Sequence, residues 1–148
     1  MGHLKWTSDL NTGIDVIDHQ HQRIVDYINA LYDATQTQDR EQVGAVIEQL
    51  IEYTLSHFTF EEEMIEQAGY PFTKAHKRVH ELFARRVTEF QQRYSLGEDV
   101  AEQLITLLKT WLVNHIRRDD ADYSAIVKEN LVGSQEKKKG FWSRLTGR

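Results

Sequence analysis

The chain has no cysteine, one proline and only eight glycines in 148 residues. Without cysteine there is no disulfide framework, and no thiolate for zinc or iron–sulfur chemistry. Scarce proline and glycine remove the residues that punctuate strand-and-turn folds, so long helices are expected. No apolar run reaches the length that spans a bilayer. The segment MGHLKWTSD has no apolar stretch of the secretory type, and a cytoplasmic location is the expectation. Basic charge is also in short supply. The net charge is −5, and Lys137, Lys138, Lys139, Arg144 and Arg148 all fall in the C-terminal tail, which leaves the body of the chain more acidic still. Phosphate contacts need a basic face, so no nucleic-acid partner is expected.

What is present is helical patterning. Hydrophobic residues make up 40% and charged residues 28%, ordinary for one globular domain of this length. After an extended arm holding Trp6 and Gly13, a first helix is read from Asp18, as its N-cap, to about Thr35–Gln38; Ile17, Ile24, Ile28 and Leu31 form its stripe. A second helix starts near Asp39 and ends at Gly69, with Pro71 just beyond. The third carries Phe72, Val79, Phe83, Val87, Phe90 and Tyr94 and closes at Gly97. The fourth uses Ala101, Leu104, Leu108 and Trp111. It should loosen or kink at Arg117–Asp120 before a last apolar patch of Tyr123, Ile126, Val127 and Leu131. The expected architecture is all-α: an antiparallel up-down-up-down four-helix bundle with an N-terminal arm and a short C-terminal helix. Gly133-Ser134 is read as its end, which makes residues 1–133 the bundle and 134–148 a basic and aromatic tail.

Seven ionisable residues fall on or beside the apolar stripes: His21, His57, Glu61, His76, His80, His115 and Asp120. One histidine on such a stripe is usually a satisfied core residue. Five, with two carboxylates, would cost several kcal/mol or more if buried without partners, and a metal centre gives them a reason to be there. His57 and Glu61 are one helical turn apart, as are His76 and His80. His115 and Asp120 are off the helical period, so Asp120 reaches the others only if the helix distorts. Imidazole with carboxylate and no sulfur suits iron, zinc, manganese or nickel. Seven groups are too many for one ion. Two octahedral ions offer twelve positions; five histidines, two bridging carboxylates and a bridging oxygen fill all but one.

His19, two residues from His21, points away from that stripe and is read as solvated, like His3. Glu62, Glu63, Asp119 and Asp122 are read as surface neighbours, with Asp119 the one rival to Asp120. Tyr70 and Tyr123 are either packing residues or donors to the ligand groups.

The runs Gly13-Ile14, Asp18-His19-Gln20-His21, His57-Phe58-Thr59-Phe60-Glu61-Glu62, Tyr70-Pro71, His76-Lys77-Arg78-Val79-His80 and Trp111-Leu112-Val113-Asn114-His115-Ile116 through Asp120 to Tyr123 resemble bacterial hemerythrins over roughly residues 4–132. Myohemerythrin, of that family, is itself an up-down bundle, so the fold agrees with the resemblance without adding to it. The resemblance implies two iron ions, one held by His76, His80 and His115, the other by His21 and His57. Glu61 and Asp120 would bridge them, leaving one open position for O2. It also implies a dry oxygen pocket lined by Phe58, Trp111, Leu112 and Ile116, which slows loss of the bound oxygen. The function expected is reversible O2 binding for storage, transport or delivery, without enzymatic activity. The alternatives are an oxygen or redox sensor, or a di-iron oxidase, peroxidase or nitric-oxide-handling enzyme. The tail, with Phe141 and Trp142 among its basic residues, is either an inert terminus or a contact for a membrane surface or an oxygen-consuming protein.

Overall fold

The computed structural model describes residues 3–145, with side chains as far as Gly133; the side chains of the basic tail lie outside the described residues. Helices α1 (Asp15–Thr37), α2 (Arg40–Gln67), α3 (Thr73–Ser95) and α4 (Ala101–His115) follow one another through short connectors, each reversing the direction of the last. A π-helical turn, Ile116–Asp120, joins α4 to α5 (Ala121–Leu145) without a break. α1 packs against α2 and α4, α2 also against α3, and α5 returns to α2. Among the described residues there is no strand, and no helix is long and apolar enough to cross a membrane.

Local chemistry explains the helix ends. Asp39 caps α2, its Oδ1 accepting from the backbone N–H of Glu41 at 3.1 Å and Gln42 at 3.3 Å; a cap of this kind is worth about 1 kcal/mol. Gly69 and Gly97, just past α2 and α3, take left-handed φ of 76° and 103°, where a side chain would be strained.

Asp18 departs from the sequence reading. α1 begins one turn earlier, and Asp18 lies within it, buried, accepting from Thr12 N at 2.7 Å, Thr12 Oγ1 at 2.8 Å and Gly13 N at 3.0 Å. It ties the incoming arm to the helix rather than capping the helix. Farther out, Asn29 pairs with both the N–H and the carbonyl of Leu4, at 2.8 and 2.9 Å. The C-terminal helix is also longer than expected. Gly133 does not take the left-handed conformation that ends α2 and α3, and α5 runs on through Ser134 to Leu145.

Two apolar clusters form the core. The larger contains Ile24, Ile28, Leu31, Ile47, Leu50, Phe58, Leu104, Leu108, Leu112 and Ile116. The smaller contains Ile14, Ile17, Ile65, Tyr70, Tyr123 and Val127. Each fully buried aliphatic side chain contributes about 2 kcal/mol. A polar layer separates the two: His21 lies between Ile17 and Ile24 on α1, Glu61 between Phe58 and Ile65 on α2, and Asp120 between Ile116 and Tyr123.

Candidate metal centre

All seven residues singled out by the sequence meet in that layer. His21, Glu61 and Asp120 have no exposed surface, and His57, His76, His80 and His115 are at most 4% exposed. His3 and His19 are exposed, as read. α1 contributes His21, α2 His57 and Glu61, α3 His76 and His80, and α4 His115. The π-turn contributes Asp120: its extra residue turns the Asp120 carboxylate inward, Oδ1 lying 3.2 Å from His115 Nε2. Asp119, the rival, is half-buried and outside the cluster.

The carboxylates divide the cluster in two. Glu61 Oε1 lies 2.5 Å from His76 Nε2 and 3.1 Å from His80 Nε2, whereas Oε2 lies 3.1 Å from His57 Nε2 and 3.7 Å from His21 Nε2. Asp120 repeats the division: Oδ1 is 3.2 Å from His76 and from His115, and Oδ2 is 3.1 Å from His21. One half therefore gathers three imidazoles and two oxygens, the other two imidazoles and two oxygens. Each group can surround a cation, with Glu61 shared between them.

The donor set fits metal better than it fits itself. His21 Nε2, His57 Nε2 and both Asp120 oxygens are buried without a hydrogen-bond partner despite neighbours 3.1–3.2 Å away. The residues that carry these atoms belong to the two groups, in each of which the ligand atoms lie within 4.8 Å of one another. His80 Nε2 and His115 Nε2 approach to 3.0 Å while the opposite nitrogen of each ring is engaged elsewhere. Such inward-facing acceptors are what two cations would satisfy.

In the metal-free protein, protons take over this neutralising role. Burial alone would lower His21 and His76, but Asp120 and Glu61 outweigh it and hold both at about 9. His115 is likewise raised well above its ordinary value, chiefly by Asp120 against the effect of burial. Burial would raise Glu61 and Asp120, yet the surrounding imidazoles keep both below the usual carboxylate range. His57 goes the other way, lowered by burial.

Aromatic rings hold the imidazoles in place. Phe58 stacks on His80 at 3.8 Å, and Trp111 stacks on His115 at 4.3 Å with Phe83 on its other face at 3.7 Å. Phe58, Leu112 and Ile116 are buried and Trp111 partly so, all within the larger apolar cluster on that side of the layer. Tyr123, completely buried, donates to Glu61 Oε2 at 3.1 Å; burial and then the nearby carboxylates push its phenol far above its ordinary range, so it stays a donor. Tyr70 packs in the smaller cluster.

Sequence reasoning missed the partners behind the imidazoles. Gln20 accepts from His57 Nδ1 at 2.6 Å, Glu62 from His80 Nδ1 at 3.1 Å and Asp119 from His115 Nδ1 at 2.7 Å. The available signal was adjacency, since each directly neighbours one of the seven in sequence.

These features have counterparts in known proteins. A family model described as "Hemerythrin HHE cation binding domain" matches residues 12–127. The bacteriohemerythrin of Pseudomonas paraeruginosa is 52% identical over 96% of this chain and 94% of its own length. That of Methylococcus capsulatus is 32% identical over 83% of this chain and 95% of its own. The crystal structure of wild-type hemerythrin superposes with a TM-score of 0.80 at 30% identity, covering 84% of this chain and 97% of that one. With the family match spanning the bundle and relatives aligned over nearly their whole length, this chain belongs to the hemerythrin family.

Proposed function

We propose that the chain binds O2 reversibly at two iron ions, as a storage, transport or delivery protein and not as an enzyme. The observation that supports this best is the division of the carboxylates, with one oxygen of Glu61 and one of Asp120 in each half of the cluster. His76, His80 and His115 would hold one iron and His21 and His57 the other, which leaves the second a ligand short. Two iron ions held there supply the redox-active metal and the open position that a diatomic ligand needs.

The protein's own part is to position and to exclude. Glu61 and Asp120 tie the two halves together. Tyr123 holds the Glu61 oxygen on the two-histidine side. Phe58, Trp111, Leu112 and Ile116 present an apolar wall that keeps water, and the protons it carries, away from the ligand. The histidine-rich set also sets this bundle apart from ferritin-type di-iron proteins, which use paired Glu-x-x-His motifs.

The test is anaerobic loading with ferrous iron, a count of iron per chain, titration with O2 and then its removal. Two irons per chain and a visible charge-transfer absorption that appears with O2 and vanishes without it are expected. One-way conversion to the ferric protein, or turnover with a reductant, would replace this reading with the enzymatic one. Failure to take up two irons would overturn it. His57→Ala should abolish the oxygenated spectrum.

A further inference from the structure

Two pairs of consecutive carboxylates each clasp one imidazole between them. Glu61 Oε1 faces His80 Nε2 at 3.1 Å while Glu62 Oε2 takes the Nδ1 proton of the same ring, also at 3.1 Å. Asp120 Oδ1 faces His115 Nε2 at 3.2 Å while Asp119 Oδ2 takes its Nδ1 proton at 2.7 Å. Both clasped rings belong to the three-histidine half. The other half is backed differently: His57 Nδ1 meets the neutral carboxamide of Gln20 at 2.6 Å, and His21 Nδ1 is buried with no partner.

A carboxylate behind an imidazole draws the N–H proton toward itself and makes the opposite nitrogen a more basic metal ligand. A neutral amide oxygen does this less, because bonds to charged acceptors are roughly twice as strong. We propose that Glu62 and Asp119 are positioning residues that make the three-histidine half of the centre the more electron-rich, so that the metal there is oxidised at a lower potential than its neighbour. Glu61 and Asp120 join the two metals; the residues beside them set the two metals apart.

This inference rests on the di-iron reading. Water reaches both outer carboxylates, whose side chains are 24% and 38% exposed, which screens their charge. Such partners contribute about 10–100-fold to metal affinity or activity, and we take the low end of that range, about tenfold, for the ferric–ferrous equilibrium at each. For one electron that is about 59 mV.

The experiment uses the iron-loaded full chain and three near-isosteric variants: Glu62→Gln, Asp119→Asn and the reverse change Gln20→Glu. Midpoint potentials are measured anaerobically by spectroelectrochemistry, with Mössbauer spectra of the half-oxidised protein to show which iron is ferric. Glu62→Gln and Asp119→Asn should each raise the lower potential by about tenfold in equilibrium constant. Gln20→Glu should lower the higher one, narrowing the gap. Shifts of one sign in all three, or none, would overturn the assignment, as would a ferric iron on the two-histidine side in the wild type. A purely structural role for these residues predicts weaker iron binding without shifts of opposite sign. Iron content separates the two readings: no bound iron pair strikes the proposed function, whereas two bound irons with unshifted potentials strike this inference alone. If Glu62→Gln or Asp119→Asn fails to fold, the other set against Gln20→Glu still decides the sign; if Gln20→Glu fails, Gln20→Asp takes its place.

Discussion

His115 Nε2 and Asp120 Oδ1 lie 3.2 Å apart although five residues of chain would place their side chains about 140° apart on a regular α-helix. The π-turn Ile116–Asp120 removes that mismatch, and the local irregularity is where a functional side chain is re-aimed. Its benefit depends on charge, which gives the first prediction.

Asp120→Asn should destabilise the metal-free protein by about 3 kcal/mol near pH 6, because it removes one of the two carboxylates that balance the buried imidazolium charge. Above pH 9, where His21 and His76 are neutral, most of that loss should vanish. Denaturant unfolding at the two pH values checks this; an equal loss at both would mean that packing, not charge, is the cause.

The metal-free and metal-loaded proteins should respond oppositely to pH. Between pH 6.5 and about 9 the folded metal-free protein holds protons on His21 and His76 that the unfolded chain has lost. Their contribution is therefore complete below 6.5 and falls as pH rises through about 9, at about 1.4 kcal/mol per pH unit for each proton involved. Metal binding needs those imidazoles neutral, so affinity should rise through the same window and loading should release protons. Calorimetry in two buffers of different ionisation enthalpy measures that release; zero protons released at pH 7 would contradict it.

Thr54 gives a prediction independent of the metal. Its hydroxyl is buried with no hydrogen-bond partner, whereas Thr59 and Thr88 donate to the carbonyl one turn back, at 3.2 and 2.8 Å. Burying an unsatisfied hydroxyl costs 1–3 kcal/mol, so Thr54→Val should stabilise the protein by about 1 kcal/mol. A denaturation midpoint that falls would show that the hydroxyl has a partner.

The parts of this molecule legible in the sequence are those written in its periodicity. His21, His57, Glu61, His76 and His80 sit in register with apolar stripes, so their convergence follows from the helices alone. The spacing of His115 and Asp120 announced a distortion, and the π-turn lies there. Gln20, Glu62 and Asp119 were hidden because each lies off the buried stripe, where a polar residue is ordinarily solvated. Asp18 was misplaced because an acid at a helix start reads as a cap, and only tertiary structure shows the arm bonding to it. The length of α5 was misread because a glycine ends a helix only when it adopts the left-handed conformation, and Gly133 does not.

The stacked column of Phe83, Trp111 and His115 has an optical consequence. An indole 4.3 Å from an imidazole that faces a transition metal lies within quenching range of that metal, so filling or emptying the centre should change the Trp111 emission. Trp6, in the N-terminal arm and hydrogen-bonded to Asn11, lies outside that column and, with Trp142 of the tail, adds to the emission. With iron bound as proposed, Trp111 would serve as a built-in gauge of its occupancy, readable without label or cofactor analogue.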